Sequence, residues 1–411
     1  QTKEPVISLK NGMTTFEGPM LSLKTLNAIG HYTDWIIAHV HIGALAWNGF
    51  MAAGIIYWLA SKLWKTDLYS KKLANTHFWL GTLGILFYAI PLYVAGFTQA
   101  SMWKQFNPDG TLVYGNFLET VTQILPMYAM RAFGGVLYLS GFLLLAYNVY
   151  KTAKAGSTVQ DELAEAAALK PISASRAPNE KLHSWLERRT ILFTILTTVA
   201  VLIGGAVEIV PLLTVPSNIP KISSVKPYTP LELEGRDIYI REGCNNCHSQ
   251  MIRPFRSEVE RYGEYSKAGE FVYDHPFLWG SRRTGPDVHR IGGKYNDNWH
   301  FTHLYDPRLT SPGSIMPSYP WLLTNDLDVS DTEAKMGAMV TLGVPYTQFE
   351  LDKSLFLLRN QAEEIEKNLR QDPEFVKNYG DSNMQDKEIV ALIAYLQRLG
   401  TDIKKGETAK N

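Results

Sequence analysis

Only two cysteines occur in the 411 residues, and both lie in Cys244-Asn245-Asn246-Cys247-His248. Two thiols flanking two residues, followed at once by an imidazole, suit covalent attachment of a c-type haem. The thiols add to the porphyrin vinyl groups, and His248 binds the iron from one face. A thioredoxin-like redox pair would sit in a βαβ pattern, which the flanking sequence lacks, and a zinc site would call for two further ligands at finger spacing. The opposite axial position needs another side chain. Met316, in Ile315-Met316-Pro317-Ser318-Tyr319-Pro320, is the candidate, because His/Met ligation recurs in cytochromes c and raises the potential. Met251 is too near His248 in sequence to reach the other face, while Met336 and Met339 lie in a helix-like stretch and read as core.

A second pair of residues lies in an apolar run. His39 and His41 are separated by Val40, and ionisable side chains at membrane depth are functional candidates. Positions i and i+2 on a helix point about 200° apart, so the two imidazoles cannot share one metal, but each can serve a different one. At a rise of about 1.5 Å per residue, each lies about 10 Å inside the outer membrane face. Two haems flanking one helix, or a pair of hydrogen-bonded structural histidines, both satisfy this spacing. His31 and His77 read as interfacial or structural, and His275, His289, His300 and His303 as structural or surface residues. No second membrane histidine pair is present to hold copper.

The elements that must position these residues are mainly α-helical. Trp35–Ala60, Phe78–Trp103, Ala132–Tyr150 and Thr190–Val207 are long and apolar enough to cross a bilayer, which takes about 20 residues. Lys62, Lys65, Lys71, Lys72, Lys151, Lys154, Arg188 and Arg189 flank these runs on what the positive-inside rule makes the cytoplasmic side. The 104–123 loop and everything after about Val215 then lie outside. The expected organisation is a membrane part over 1–154, a cytoplasmic linker over 155–187 with a short helix at 161–169, a membrane anchor over 188–215 and an extracytoplasmic domain over 216–411. In that last domain, a helix over 231–242 with Gly235 crosses a C-terminal helix over 387–399 that carries Tyr395, an arrangement suited to a small α-helical class I cytochrome c domain.

Composition bounds the rest. Forty basic residues balance forty acidic ones, which gives no basic surplus for nucleic acid. A hydrophobic share of 45% with 12% aromatics excludes a mainly disordered chain, and two cysteines exclude a disulfide scaffold. The chain starts at Gln1, as expected for a segment of a longer polypeptide or a processed chain.

Residues 236–321 closely resemble the mono-haem subunit II of cbb3-type cytochrome c oxidases. The words that carry the likeness are Glu-Gly-Arg-Asp-Ile-Tyr-Ile-Arg-Glu-Gly-Cys, Cys-His-Ser-Gln-Met-Ile-Arg-Pro-Phe-Arg, Tyr-Asp-His-Pro-Phe-Leu-Trp-Gly-Ser and Met-Pro-Ser-Tyr-Pro-Trp. Residues 16–150 resemble the C-terminal part of the catalytic subunit I of the same enzymes, through Phe16-Glu17-Gly18-Pro19-Met20, His31-Tyr32-Thr33-Asp34-Trp35 and His39-Val40-His41. The chain thus looks like a fused subunit I–subunit II polypeptide without the N-terminal part of subunit I.

The resemblance implies roles residue by residue. His39 would be the proximal ligand of a high-spin haem b where oxygen binds, and His41 an axial ligand of a low-spin haem b. Glu17 would hydrogen-bond His39, fixing its ring and raising its basicity. Cys244 and Cys247 would carry haem c, with His248 and Met316 on its iron. Ser281 matches a position near a calcium ion that bridges haem propionates. The implied enzyme takes electrons from a soluble or membrane cytochrome c through haem c and low-spin haem b. They end at a high-spin haem/copper centre that reduces O2 to water with proton translocation. Its implied partners are the rest of subunit I with the copper ligands, a dihaem cytochrome c subunit and the lipid bilayer. Its implied location is the bacterial inner membrane, with the cytochrome domain in the periplasm. The segment over 352–385 is longer than expected for subunit II and reads as a solvated helical insertion or a docking face. Competing readings are a nitric oxide reductase-like protein, separated by its non-haem metal, and a membrane-anchored electron carrier, separated by the lack of b haem.

Overall fold

A computed structural model describes residues 15–158, 176 and 178–408. Among the described residues the regular elements are helical, and β pairing is limited to isolated bridges. The chain divides into two compact units, Gln1–Thr158 with Ser223–Asn411, and Val159–Ile222. The short helix expected over 161–169 lies outside the described residues.

Four helices among the described residues are long and apolar enough to span a membrane. Span 1 (Asp34–Leu63), span 2 (Lys71–Met102) and span 3 (Phe117–Ala155) belong to the first unit, and span 4 (Thr190–Thr214) to the second. Span 3 begins well before the apolar run at Ala132. Asn116 caps it by accepting the Leu118 N–H, and Arg131 lies inside the helix. That cation is accommodated by the rings of Tyr88 and Tyr128, whose centroids lie 5.4 and 5.7 Å from the guanidinium. Span 4 buries none of its own side chains and exposes apolar residues along its length.

Spans 1 to 3 meet at glycines. A Cβ on Gly134 would fall 2.6 Å from the Gly84 carbonyl oxygen, and one on Gly96 would fall 2.4 Å from the Trp35 backbone nitrogen. Lipid supplies little hydrophobic drive between helices, so close backbone approach at small residues is what packs them. Just after His41, span 1 switches from α-helix to a π-helical stretch, Ile42–Asn48, before α geometry resumes at Gly49. Such insertions cluster at functional positions in helices.

The soluble domain is built on the crossing of the Pro230–Arg241 and Glu388–Arg398 helices. Thr229 and Glu232 form a reciprocal capping box at the start of the first. At the crossing, a Cβ on Gly235 would lie 1.8 Å from the Ala391 carbonyl oxygen, and Tyr239 and Tyr395 pack with ring centroids 5.3 Å apart. Met336 and Met339 are buried, as core residues should be. The segment over 352–385 is helical as expected, but it is not only a solvated face. Its Ser354–Leu369 helix sends Leu358, Ala362, Ile365 and Leu369 into the domain core.

This domain grips the membrane part through arginines. Arg256 Nη2 donates to the Gly110 carbonyl at 3.0 Å, and Arg261 Nη1 to the carbonyls of Tyr114 and Gly115 at 2.7 and 3.0 Å. Tyr32, fully buried, lies under Arg283 at 4.2 Å and Arg253 at 5.3 Å, and the Arg283 N–H donates to the Tyr32 carbonyl at 2.9 Å. Arg283 also pairs with Glu258 at 3.0 Å and Asp287 at 3.3 Å, and Arg253 with Glu258 at 2.6 Å. Burial raises the Glu258 carboxyl, but the two arginines outweigh it and hold the group below its ordinary range.

The Gly235 crossing leaves no room for a side chain. Gly235→Val is expected to destabilise the domain by about 3 kcal/mol or more, the upper end of overpacking penalties, measured as a lower thermal midpoint of the purified complex by calorimetry. An unchanged midpoint would mean that the helices do not cross there.

Candidate functional site

Cys244–Cys247 forms one helical turn, entered through Gly243 in the left-handed region at φ 72°. No disulfide joins the two cysteines. His248 leaves this turn extended, and its Nδ1–H donates to the Pro286 carbonyl at 2.8 Å, which leaves Nε2 uncommitted. Burial lowers the His248 pKa, so the imidazole is held neutral, the form that binds iron. Gly285 abuts the ring: a Cβ there would lie 2.3 Å from His248 Cε1.

Cys244, Cys247, His248 and Met316 line one open cleft with a cavity volume of about 400 Å³, within the roughly 300–1,000 Å³ of ligand pockets. One wall is a stack of Tyr295 on Trp299 at 3.9 Å and Trp299 on His303 at 4.6 Å. His303, read from sequence as a structural or surface residue, thus belongs to the cleft. Its legible signal was the i, i+4 relation to Trp299 on the Asp297–Tyr305 helix. Burial first, then the charge of Glu242, pushes the Cys244 thiol up to about 12. Among the described residues no group of three or more His, Cys, Asp or Glu is placed to hold a metal ion, so a zinc site has no support. The donor set and the cleft fit a covalently held haem.

The second set is organised by one carboxylate. Glu17, in the helical residues 15–22, is buried and accepts three hydrogen bonds. Trp35 Nε1–H donates to Oε1 at 2.5 Å, Tyr93 O–H to Oε2 at 2.7 Å and His39 Nδ1–H to Oε2 at 3.1 Å. His41 is held differently: its Nδ1–H donates to the Ile37 carbonyl at 2.8 Å, and its ring lies 4.8 Å from Tyr88. Each imidazole therefore keeps Nε2 free, and the two take different neighbours, in keeping with their separation around the helix. Trp35 was legible as the residue one turn before His39, whereas Tyr93 arrives from span 2 and no spacing pointed to it. The donor sets fit haem iron. Ser281 is exposed, and among the described residues no group of three or more His, Cys, Asp or Glu is placed to hold a metal ion.

Comparison with known proteins gives two family matches on the same chain. Residues 183–403 match the family described as cytochrome c oxidase, mono-heme subunit/FixO. Residues 6–137 match the family described as cytochrome c and quinol oxidase polypeptide I. Over 142 residues, 34% of this chain, it is 56% identical to a cytochrome c oxidase subunit 1 homolog of Agrobacterium tumefaciens (strain T37), 26% of whose length is covered. It is 50% identical over 142 residues, again 34% of this chain and 26% of the relative, to cytochrome c oxidase subunit 1 of Rhodobacter capsulatus. Over 154 residues, 37% of this chain, it is 42% identical to the Cbb3-type cytochrome c oxidase subunit CcoN1 of Stutzerimonas stutzeri, 32% of whose length is covered. The chain thus spans roughly a quarter to a third of the curated relatives it matches.

A buried histidine, His300, and a half-buried one, His31, tie stability to pH. Burial lowers His300 to about 4, and burial with the charges of Arg253 and Arg283 lowers His31 to about 4. The folded pKa lies below the unfolded value of about 6.5, so the unfolded chain binds more protons between the two. Stability is expected to fall as pH drops from about 6.5 toward 4, and His300→Phe should flatten part of that slope in thermal melts.

Proposed function

We propose that this chain, which belongs to the mono-haem subunit family of cytochrome c oxidases and carries a polypeptide I segment ahead of it, works as part of a cbb3-type terminal oxidase. The observation that carries the reading is the Glu17–His39 contact at 3.1 Å on the polypeptide I segment, in the same chain as a cleft lined by Cys244, Cys247, His248 and Met316. One chain then supplies residues for the entry of electrons and for their use on oxygen.

In this reading Cys244 and Cys247 would hold haem c by thioether bonds, with His248 and Met316 as its iron ligands. His39 would hold a high-spin haem b and His41 a low-spin haem b, and the remaining part of subunit I would supply the further haem ligand and the copper ligands. When bound, these groups supply electron transfer and oxygen reduction. The chain's own contribution is orientation. The Pro286 carbonyl and the Glu17 carboxylate fix the His248 and His39 rings from behind. Trp35 and Tyr93 in turn hold Glu17 still. The donor would be a soluble or membrane cytochrome c, directly or through a dihaem subunit. The cytochrome domain would face the periplasm of a bacterial inner membrane, with 1–154 as the subunit I part, 155–187 as a cytoplasmic linker and 188–215 as the subunit II anchor. The flanking lysines and arginines support that orientation.

The experiment is a pyridine haemochrome spectrum paired with oxygen uptake on the purified complex. His248→Ala is expected to lose its haem c, and His39→Ala to keep haem c but lose oxygen uptake. Glu17→Gln should keep haem c and lower uptake about 10–100-fold. Normal oxygen uptake in His39→Ala would sink the assignment, and absence of b haem from the native complex would leave an anchored electron carrier.

A further inference from the structure

The haem cleft has a wall that the ligand residues do not explain. It includes Arg261, carried on the Arg256–Tyr262 helix, together with Gly115 and Val121 from the membrane part. One arm of this guanidinium is spoken for: Nη1 donates to the carbonyls of Tyr114 and Gly115. The other arm is not, because Nη2 is buried without a hydrogen-bond partner. Burial and the like charge of Arg283 disfavour the cation here, against the opposing influence of Tyr262, Glu119 and Glu258, and the net direction is downward. None of those groups hydrogen-bonds Nη2. A buried, uncompensated guanidinium arm is costly, and the groups that best satisfy it are carboxylates. Haem presents two anionic groups, its propionates. His248, Met316 and the two cysteines are already committed to the iron and the vinyl edge.

We propose that Arg261 is a positioning residue for haem c: Nη2 holds a propionate carboxylate while Nη1 holds the outer loop of the membrane part. The inference rests on the reading of this cleft as a haem c site. One side chain then ties the cofactor to the element that leads into span 3 and turns the propionate edge of the haem toward the membrane part. A cation at the propionate also stabilises the reduced haem, since reduction removes one positive charge from the iron. Trp299, Tyr295 and His303 on the other wall supply stacking surface but no fixed cation. Lys294 also borders the cleft, and it is the second candidate to meet a propionate.

The test uses the purified complex with three substitutions and three readouts: covalent haem staining, a potentiometric titration of haem c, and its resonance Raman propionate-bending band. Arg261→Gln is expected to retain covalent haem c, to shift the propionate band and to lower the reduced-to-oxidised ratio about tenfold at fixed ambient potential, ~59 mV for a one-electron couple. Arg261→Lys keeps a cation but cannot span both partners, so it should recover most of the potential and still shift the band. Arg256→Gln removes the neighbouring contact to Gly110 without touching the cleft, and it should leave both the band and the potential unchanged. An unaltered band and potential in Arg261→Gln would overturn the proposal, and so would an equal shift in Arg256→Gln, which would trace the effect to docking alone. If Arg261→Gln does not assemble, the propionate band of Arg261→Lys decides: unshifted, it overturns the proposal. Absence of covalent haem c from the unsubstituted complex would instead strike the underlying reading.

Discussion

The buried cluster of Arg283, Arg253, Glu258 and Asp287 around Tyr32 is the interaction on which the other parts depend. Arg283 and Asp287 are almost wholly removed from water, and every charge in the cluster has an opposite partner within 3.3 Å. Such a group is neutral or costly when assembled, but taking out one member leaves a bare buried charge, at about 3–5 kcal/mol. The same residues anchor the haem segment. Asp287 accepts from Ser249 Oγ at 2.5 Å and from the Met251 N–H at 2.9 Å, directly after His248. On its other side the cluster fixes Tyr32 in the left-handed region at φ 71°, where a non-glycine residue persists only under tertiary constraint. Thr33 follows and caps span 1, so the position of His39 descends from a charge pair in the soluble domain.

Two kinds of cohesion therefore coexist. Inside the bilayer region, spans 1 to 3 rely on glycines that bring backbones together, and on buried polar pairs such as Asp34 Oδ2 with Tyr128 O–H at 2.8 Å and Gln99 Nε2 at 3.0 Å. In the soluble domain, apolar burial around Leu231, Ile389 and Tyr395 dominates, and close backbone approach at glycine is used where the two helices cross at Gly235. Each imidazole is held by a partner behind Nδ1, but the partner differs in charge: a carboxylate for His39, and backbone carbonyls for His41 and His248. An anionic partner makes a more electron-donating imidazole than a carbonyl does.

Much of this was legible in the order of residues, because the signals were local. Cysteine-histidine spacing, apolar runs of membrane length and the Gly235/Tyr395 helix pair each depend on a few neighbours or on one period. Legibility failed where contacts are long-range. Tyr93 reaches Glu17 across 76 positions, and Arg261 reaches Tyr114 across 147, with no periodicity to announce either. The extent of span 3 was misjudged because Arg131 ended the apolar run, although two tyrosines from neighbouring turns and helices accept its charge. The segment over 352–385 looked solvated because charged residues outnumber the six that face the core.

The arginine contacts to the membrane part end on backbone oxygens: Gly110, Tyr114 and Gly115, and Asn27 and Ala28 of the Lys24–Gly30 helix near Arg253 at 3.4 Å. Recognition of this kind reads the path of the chain and ignores its side chains. The two halves of the interface are thus unequal under mutation. The loop can change residue after residue as long as its course is kept, whereas exchanging an arginine removes its contact. Because both halves belong to one polypeptide, they also meet at a high effective concentration, without having to find each other in the membrane. A contact of modest intrinsic affinity then suffices to keep the two halves docked.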